Sequence, residues 1–216
     1  MSLPMPASVE AARATTPSSF AEAYRDYAQR VARWAHNLGG YGIDVEDVVQ
    51  EVFLVVSRKL PSYSASGSFT SWLFEITRRV VANHRRRQGR QLLSRASAET
   101  LESAPSQGLD PAAELERRLL VALFYRALDQ LPEKYRTVFV LYEIEDLSTQ
   151  AISDLCRLKL STVKVQLVRA RARFMRAYQS LVRKEAGVTG ISLPSVAEKD
   201  IGAIPVDVVQ FGKGIP

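Results

Sequence analysis

Cysteine is almost absent from this 216-residue chain. Cys156 stands alone, so no intramolecular disulfide can form, which fits a reducing compartment. Histidine is nearly as scarce. His36 and His84 have no cysteine or acidic neighbours at ligand spacing, so no metal site is expected. No apolar run approaches the roughly 18 residues that span a bilayer, and no membrane insertion is expected. The opening stretch, "MSLPMPASVEAARATTPSS", lacks the basic start and apolar core of a secretory signal, which points to a cytoplasmic protein. Phosphate-cradling glycine motifs, nucleophile elbows and H-E-x-x-H are missing, so no cofactor is expected and the chain reads as a non-enzyme. Carboxylates do not cluster beside its basic segments, which argues against a metal-dependent nuclease.

What the chain does have is positive charge in blocks. Its net charge is +6 and its pI about 9.6, values that favour an anionic partner. Residues 18–95 carry twelve Lys/Arg against seven Asp/Glu, and residues 117–184 carry fourteen against six. Between them, residues 96–116 hold five acids (Glu99, Glu102, Asp110, Glu114, Glu116) and no base. Proline, serine and glycine thicken over the same stretch without a sustained apolar period, which marks a linker. The expected organisation is a short disordered start over 1–17, a domain over 18–92, a linker over 93–111, a second domain over 112–184 and an extension over 185–216.

Both domains read as helical, giving an all-α fold. Phe20, Tyr24, Tyr27, Val31 and Trp34 recur at helical spacing. After the Gly40-Tyr41-Gly42 break, Asp44 is placed to cap a second helix with Val45, Val48, Val49, Val52 and Val56 on one face. Asp47, Gln50 and Glu51 project elsewhere. A third helix runs from about Thr70 to Arg87. The second domain offers helices over 112–130 and 132–144, a short one capped by Ser148, and a last one capped by Ser161. Segments 148–156 and 161–178 have helix-turn-helix proportions. Val163, Leu167, Ala170 and Phe174 line an inward face of the last helix. Ser161, Thr162, Lys164, Val165, Gln166, Arg169, Arg171 and Arg173 are its candidates for DNA contact. Gln166 suits an adenine edge, Val165 a thymine methyl, and Arg169 guanine or phosphate; Arg171 and Arg176 suit phosphates. A basic surface helix that enters no groove remains the alternative. Cys156 reads as a buried structural thiol of this motif rather than a redox switch.

The third helix raises a different chemistry. "FTSWLFEITRRVVANHRRRQGR" passes from aromatics into six arginines between Arg78 and Arg90. Arginines neutralise phosphates, and rings beside them stack on unpaired bases. Tyr63, Phe69 and Trp72 lie at the irregular "PSYSASGSF" loop, so the pair suits a separated strand. Phe74 reads as core. The alternative assigns Trp72 to the core as well and leaves the arginines as a solvated helix end.

"DVEDVVQEVFLVVSRKL" with "FTSWLFEITRRVVANHRRR" resembles the second conserved region of the sigma-70 family. "ALDQLPEKYRTVFVLYEIEDLSTQAISDLCRLKLSTVKVQLVRARARF" resembles its fourth. Two such regions joined by a short linker, without the others, look like the extracytoplasmic-function group. The resemblance implies a promoter-specificity subunit of bacterial RNA polymerase, with promoter DNA and core polymerase (its clamp helices and flap) as partners and an anti-sigma factor as a third. It implies that Asp44, Asp47, Gln50, Glu51 and Phe53 meet the polymerase. It implies that the loop from Ser62 to Phe69 takes up a flipped base of the −10 element. Tyr63, Phe69, Trp72, Arg78, Arg79, Asn83, Arg85, Arg86 and Arg87 then form the −10 set, and the helix from Ser161 reads the −35 element. The acidic linker would occupy the RNA path; an ordinary solvated tether is the other reading. The family often has glycine where this chain has Asp146 and Arg157. A stand-alone helix-turn-helix regulator is the competing functional reading. The extension, with "IGAIPVDVVQF", reads as disordered, or as a segment that docks on a domain or a partner's sheet edge.

Overall fold

A computed structural model describes residues 16–40, 42–64, 67–94 and 111–189. Most of the expected disordered start, of the linker and of the extension lies outside the described residues. Within them the chain is helical, with no strand. The helices are α1 (Phe20–Gly39), α2 (Val45–Lys59), α3 (Phe69–Ser94), α4 (Pro111–Asp129), α5 (Glu133–Phe139), α6 (Thr149–Cys156) and α7 (Leu160–Thr189). A 3₁₀ turn over Leu60–Ser62 closes α2, and a π turn over Val140–Ile144 extends α5.

Side-chain oxygens start the helices by accepting orphan backbone N–H groups. Ser19 accepts from Glu22 N–H at 3.2 Å, Asp44 from Asp47 N–H at 3.0 Å, and Ser148 from Ala151 N–H at 3.1 Å. Ser161 does not cap α7. Lys159 C=O already accepts from Val163 N–H at 3.1 Å, so the cap position falls two residues earlier and Ser161 sits inside the first turn.

α1, α2 and α3 pack on one another to form the first unit. Its core holds Ala23, Tyr27, Val31, Trp34, Val48, Val52, Phe53, Val56, Leu73, Phe74 and Val80. The apolar face of α1 is narrower at its start than the spacing suggests. Phe20 and Tyr24 are 42% and 49% exposed, and they lie against the edge of Phe53 instead of entering the core. In the second unit, α4, α5 and α6 all pack on α7. Val163, Leu167, Ala170 and Phe174 are buried, as the spacing predicts. Phe174 stacks on Phe139 with centroids 4.6 Å apart.

Asp146 (φ 53°) and Arg157 (φ 54°) are the only non-glycine residues in the left-handed region among those described. Each ends a helical segment at the position where glycine is favoured because it has no Cβ to clash. Beyond Arg157, Leu158 N–H donates to Ser153 C=O at 3.0 Å and Ser153 Oγ donates to Leu158 C=O at 2.6 Å. These bonds hold the turn between α6 and α7 despite the unfavourable residue.

Candidate nucleic-acid interface

Three faces of α3 have three different neighbours. With 3.6 residues per turn, Trp72, Arg79, Asn83 and Arg86 fall on one face and Ser71, Glu75, Arg78, Ala82 and Arg85 on another about a quarter-turn away. The third face, with Leu73, Thr77 and Val80, is core.

The face with Trp72 looks outward beside the loop. Arg79 is 71% exposed, Arg86 and Arg87 are exposed, and Asn83 is half-buried. Arg86 Nη2 donates to Asn83 Oδ1 at 2.6 Å, so the pair presents one polar edge. Tyr63 and Trp72 are half-buried, with ring centroids 4.8 Å apart. Tyr63 hydroxyl donates to Gly67 C=O at 2.8 Å, which ties the loop's two ends together. Phe69 lies beneath them, 1% exposed, with its ring edge-on to Tyr27 and Tyr63. Phe69 is therefore not a stacking surface; it is the floor on which Tyr63 and Trp72 rest. Phe74 is core, edge-on to Trp34.

Arg78 and Arg85 face the second unit. Arg78 binds Glu75, three residues back, and Glu133 of α5. Arg85 lies 3.3 Å from Asp129 of α4 and donates to Leu38 C=O at 3.4 Å. Burial pulls the Arg85 guanidinium below the usual arginine range, with Asp129 opposing. Glu75 feels burial, which raises it, but hydrogen bonds from Arg78 and Arg79 outweigh that and leave its carboxyl below the usual range. Cys156 sits at the same junction, not inside the helix-turn-helix alone. Burial pushes its thiol up to about 12, with Arg78 opposing and Glu75 adding. A group held so firmly as the thiol is a poor nucleophile.

On α2 the exposed stripe is Asp47, Gln50 and Leu54, with Asp44 exposed at the cap. Leu54, 57% exposed, is the large apolar residue of this stripe, and helical spacing alone does not single it out. Phe53 is 3% exposed and belongs to the core, so it offers no contact surface; its neighbour on the helix does. Glu51 is half-buried and already engaged. His84 Nε2 lies 2.8 Å from its carboxylate and Arg87 Nη1 lies 3.7 Å away. Thus His84 has an acidic partner, 33 residues distant and invisible to local spacing. No group of three or more metal-ligating side chains occurs among the described residues.

The outer face of α7 is cationic. Ser161, Lys164, Val165, Arg169, Arg173 and Arg176 are exposed, and Thr162 and Gln166 are half-buried. Val165 is 50% exposed and Val168 67% exposed, so two apolar side chains stand among the charges. Arg173 lies over the Tyr135 ring at 5.1 Å, and Lys134 lies over it at 5.0 Å. Arg171 is directed away from this face: its Nε donates to Glu143 at 2.6 Å and its guanidinium covers Tyr142 at 5.1 Å. A row of hydroxyl, amide, methyl and guanidinium groups on one helix matches what a major groove recognises. No helix among the described residues is long and apolar enough to cross a membrane.

Two family models match the chain: Sigma-70 region 2 over residues 23–91 and Sigma-70, region 4 over residues 122–174. The ECF RNA polymerase sigma factor SigE of Mycolicibacterium smegmatis is 35% identical over 153 residues, a match covering 71% of this chain and 59% of that one. The ECF RNA polymerase sigma-E factor of Escherichia coli K12 is 31% identical over 147 residues, covering 65% of this chain and 77% of its own length. Among solved structures, the sigma factor RpoE in complex with the anti-sigma factor NepR from Bartonella quintana aligns with a TM-score of 0.51 at 22% identity, covering 74% of this chain and 96% of that one. CnrH in complex with the cytosolic domain of CnrY aligns at 0.50 and 23% identity, covering 74% and 88%.

Proposed function

This chain belongs to the extracytoplasmic-function sigma factors of the sigma-70 family, and from that premise we propose how its surfaces divide the work of promoter recognition. The unit of α1–α3 binds core polymerase through Asp44, Asp47, Gln50 and Leu54. It holds the melted −10 strand with Tyr63, Trp72, Arg79, Asn83, Arg86 and Arg87. The unit of α4–α7 reads the −35 element as duplex through Thr162, Lys164, Val165, Gln166, Arg169 and Arg173. The protein works in the cytoplasm, where its polymerase is, and makes no covalent bond itself; core polymerase does the chemistry. An anti-sigma factor, as in the Bartonella quintana complex, is a further expected partner.

The observation that carries this reading is the pairing of two unlike cationic surfaces on the two matched units. One sets arginines beside half-exposed rings, which suits unpaired bases. The other sets them along a groove-sized helix, which suits paired ones. A stand-alone regulator needs only the second.

Co-purification with core polymerase tests the reading. Wild type is expected to bind core, and Asp47→Arg with Leu54→Glu to lose that binding while keeping its helical circular dichroism. Retained binding by the folded double variant, or none by wild type, would contradict it.

A further inference from the structure

A cavity of about 220 Å³ opens beside the second half of α3. Among the described residues, four arginines line it: Arg78, Arg85 and Arg86 from α3 and Arg136 from α5. Glu133 is the one carboxylate in that lining. Val81 and Leu131, both buried, add apolar wall. Walls of low polarity strengthen the field of the charges they enclose.

The charges are not balanced evenly along the cavity. At one end Arg78 is shared between Glu75 and Glu133, and Arg79 also pairs with Glu75, so two cations meet two carboxylates. At the other end Arg85 and Arg136 share Asp129. Arg136 is 2% exposed. Its Nε donates to Leu38 C=O at 2.7 Å, at the C-terminal end of α1, and its Nη1 donates to Asp129 Oδ1 at 2.8 Å. Its Nη2 lies against Gly40, where a Cβ would come within 2.6 Å of it. Among the described residues, Nη2 is the one buried side-chain atom without a hydrogen-bond partner. Arg85 is loosely held: it reaches the same Leu38 carbonyl at 3.4 Å and Asp129 at 3.3 Å. Two guanidiniums therefore share one carboxylate and one carbonyl, and one positive charge is left over. A buried cation without its counter-charge is costly. Burial first, and then the like charge of Arg85, hold the Arg136 guanidinium below the usual arginine range against the pull of Asp129.

Size and charge together select the missing partner. The cavity equals roughly seven waters at about 30 Å³ each. It falls below the about 300–1,000 Å³ of pockets that enclose drug-sized ligands. A chloride ion would leave most of it to water. A tetrahedral phosphate group supplies several anionic oxygens, and the planar guanidinium fork matches such oxygens in pairs.

We propose that this cavity is a binding site for a small phosphate-bearing anion of diphosphate size, gripped by Arg78 and Arg85 with the charge of Arg136 behind them. The anion supplies the counter-charge that Asp129 alone does not. Any larger group attached to it lies outside the mouth. The site goes beyond the proposed function and rests on the cavity and its charges alone.

Isothermal titration of the full chain with inorganic pyrophosphate, at an ionic strength fixed with sodium chloride, tests the site. Wild type is expected to bind at one saturable site. Arg85→Gln is expected to weaken binding about tenfold or more, through the loss of charge-assisted hydrogen bonds. Ala82 is half-buried in the cavity lining on α3, and glutamate suits a helix. Ala82→Glu sets a carboxylate in the anion's place and is expected to abolish binding; it serves if Arg85→Gln does not fold. Arg25→Gln makes the same charge change at an exposed position of α1 and is expected to leave the affinity unchanged. No saturable binding by wild type, equal affinity across the folded proteins, or an equal loss in Arg25→Gln would overturn the site. So would a loss of single-stranded oligonucleotide binding in Arg85→Gln that matches its loss of pyrophosphate, because the arginines would then belong to the strand backbone. Failure of the functional reading is a separate outcome: wild type would give no transcript with core, and the titration would be unaffected.

Discussion

Under the proposed function, Gln166 is a side chain to which we assign a sequence preference. It is half-buried on the outward face of α7, between Val165 and the buried Leu167, where its amide suits N6 and N7 on the major-groove edge of an adenine. Gln166→Ala is predicted to reduce discrimination between matched and mismatched −35 duplexes by about 1–3 kcal/mol, read as the ratio of transcription or binding constants, with core affinity unchanged. Asp146 makes a backbone prediction. It is exposed, and its left-handed backbone costs an L-residue about 1–2 kcal/mol, less for aspartate than for most. Asp146→Gly is predicted to stabilise the α4–α7 unit by about 0.5–1 kcal/mol, seen as a higher urea midpoint with an unchanged slope. Arg157 has the same backbone but also packs on Gly67, so glycine there trades strain relief for a lost contact with that residue. The departures from glycine at both positions are legible in the sequence; only coordinates show that both residues are strained.

At the scale of the element, α3 divides its work by face. Helical periodicity finds the helix and its cationic end but not which arginine meets which neighbour, because six arginines cover more than one face. Aromatic identity likewise does not separate a platform from its floor. Phe69 is buried while Tyr63 and Trp72 are half-exposed, which predicts opposite phenotypes. Phe69→Ala should destabilise the first unit by about 3–5 kcal/mol, measured by denaturant unfolding, because it leaves a cavity under the loop. Trp72→Ala should cost less in stability and should weaken single-strand binding by about 1–3 kcal/mol. The reverse ranking would place Trp72 in the core and remove the stacking surface. Helix order, the Asp44 and Ser148 caps and the inward face of α7 are all readable from local spacing. Phe53 was not placed by it: adjacent positions on α2 differ by a rotation of about 100°, and the exposed one is Leu54.

At the scale of the whole molecule, local patterns stop being informative. Arg33 and Glu145 are 112 residues apart, and Arg136 and Leu38 are 98 apart. No period or motif joins them. The units meet through these pairs and through one continuous cluster of buried apolar side chains, and Arg136 lies where they meet. Burial first, and then the like charge of Arg85, lowers its guanidinium to about 9 against the pull of Asp129, yet it remains a cation at neutral pH. A buried guanidinium is tolerated only with good partners, so the α1 carbonyl and Asp129 belong to the same design as the arginine. The division into two cationic units was legible from charge blocks and the acidic linker; their contact was not.

Everything proposed for the two units requires that this protein give core RNA polymerase its promoters. Transcription in vitro from a fragmented genomic library, with core enzyme plus the purified chain and 5′ ends mapped, measures that directly. Discrete start sites that depend on the protein are expected, each preceded at constant spacing by the same two short sequence elements. Start sites unchanged from core enzyme alone, or no defined start at all, would contradict it.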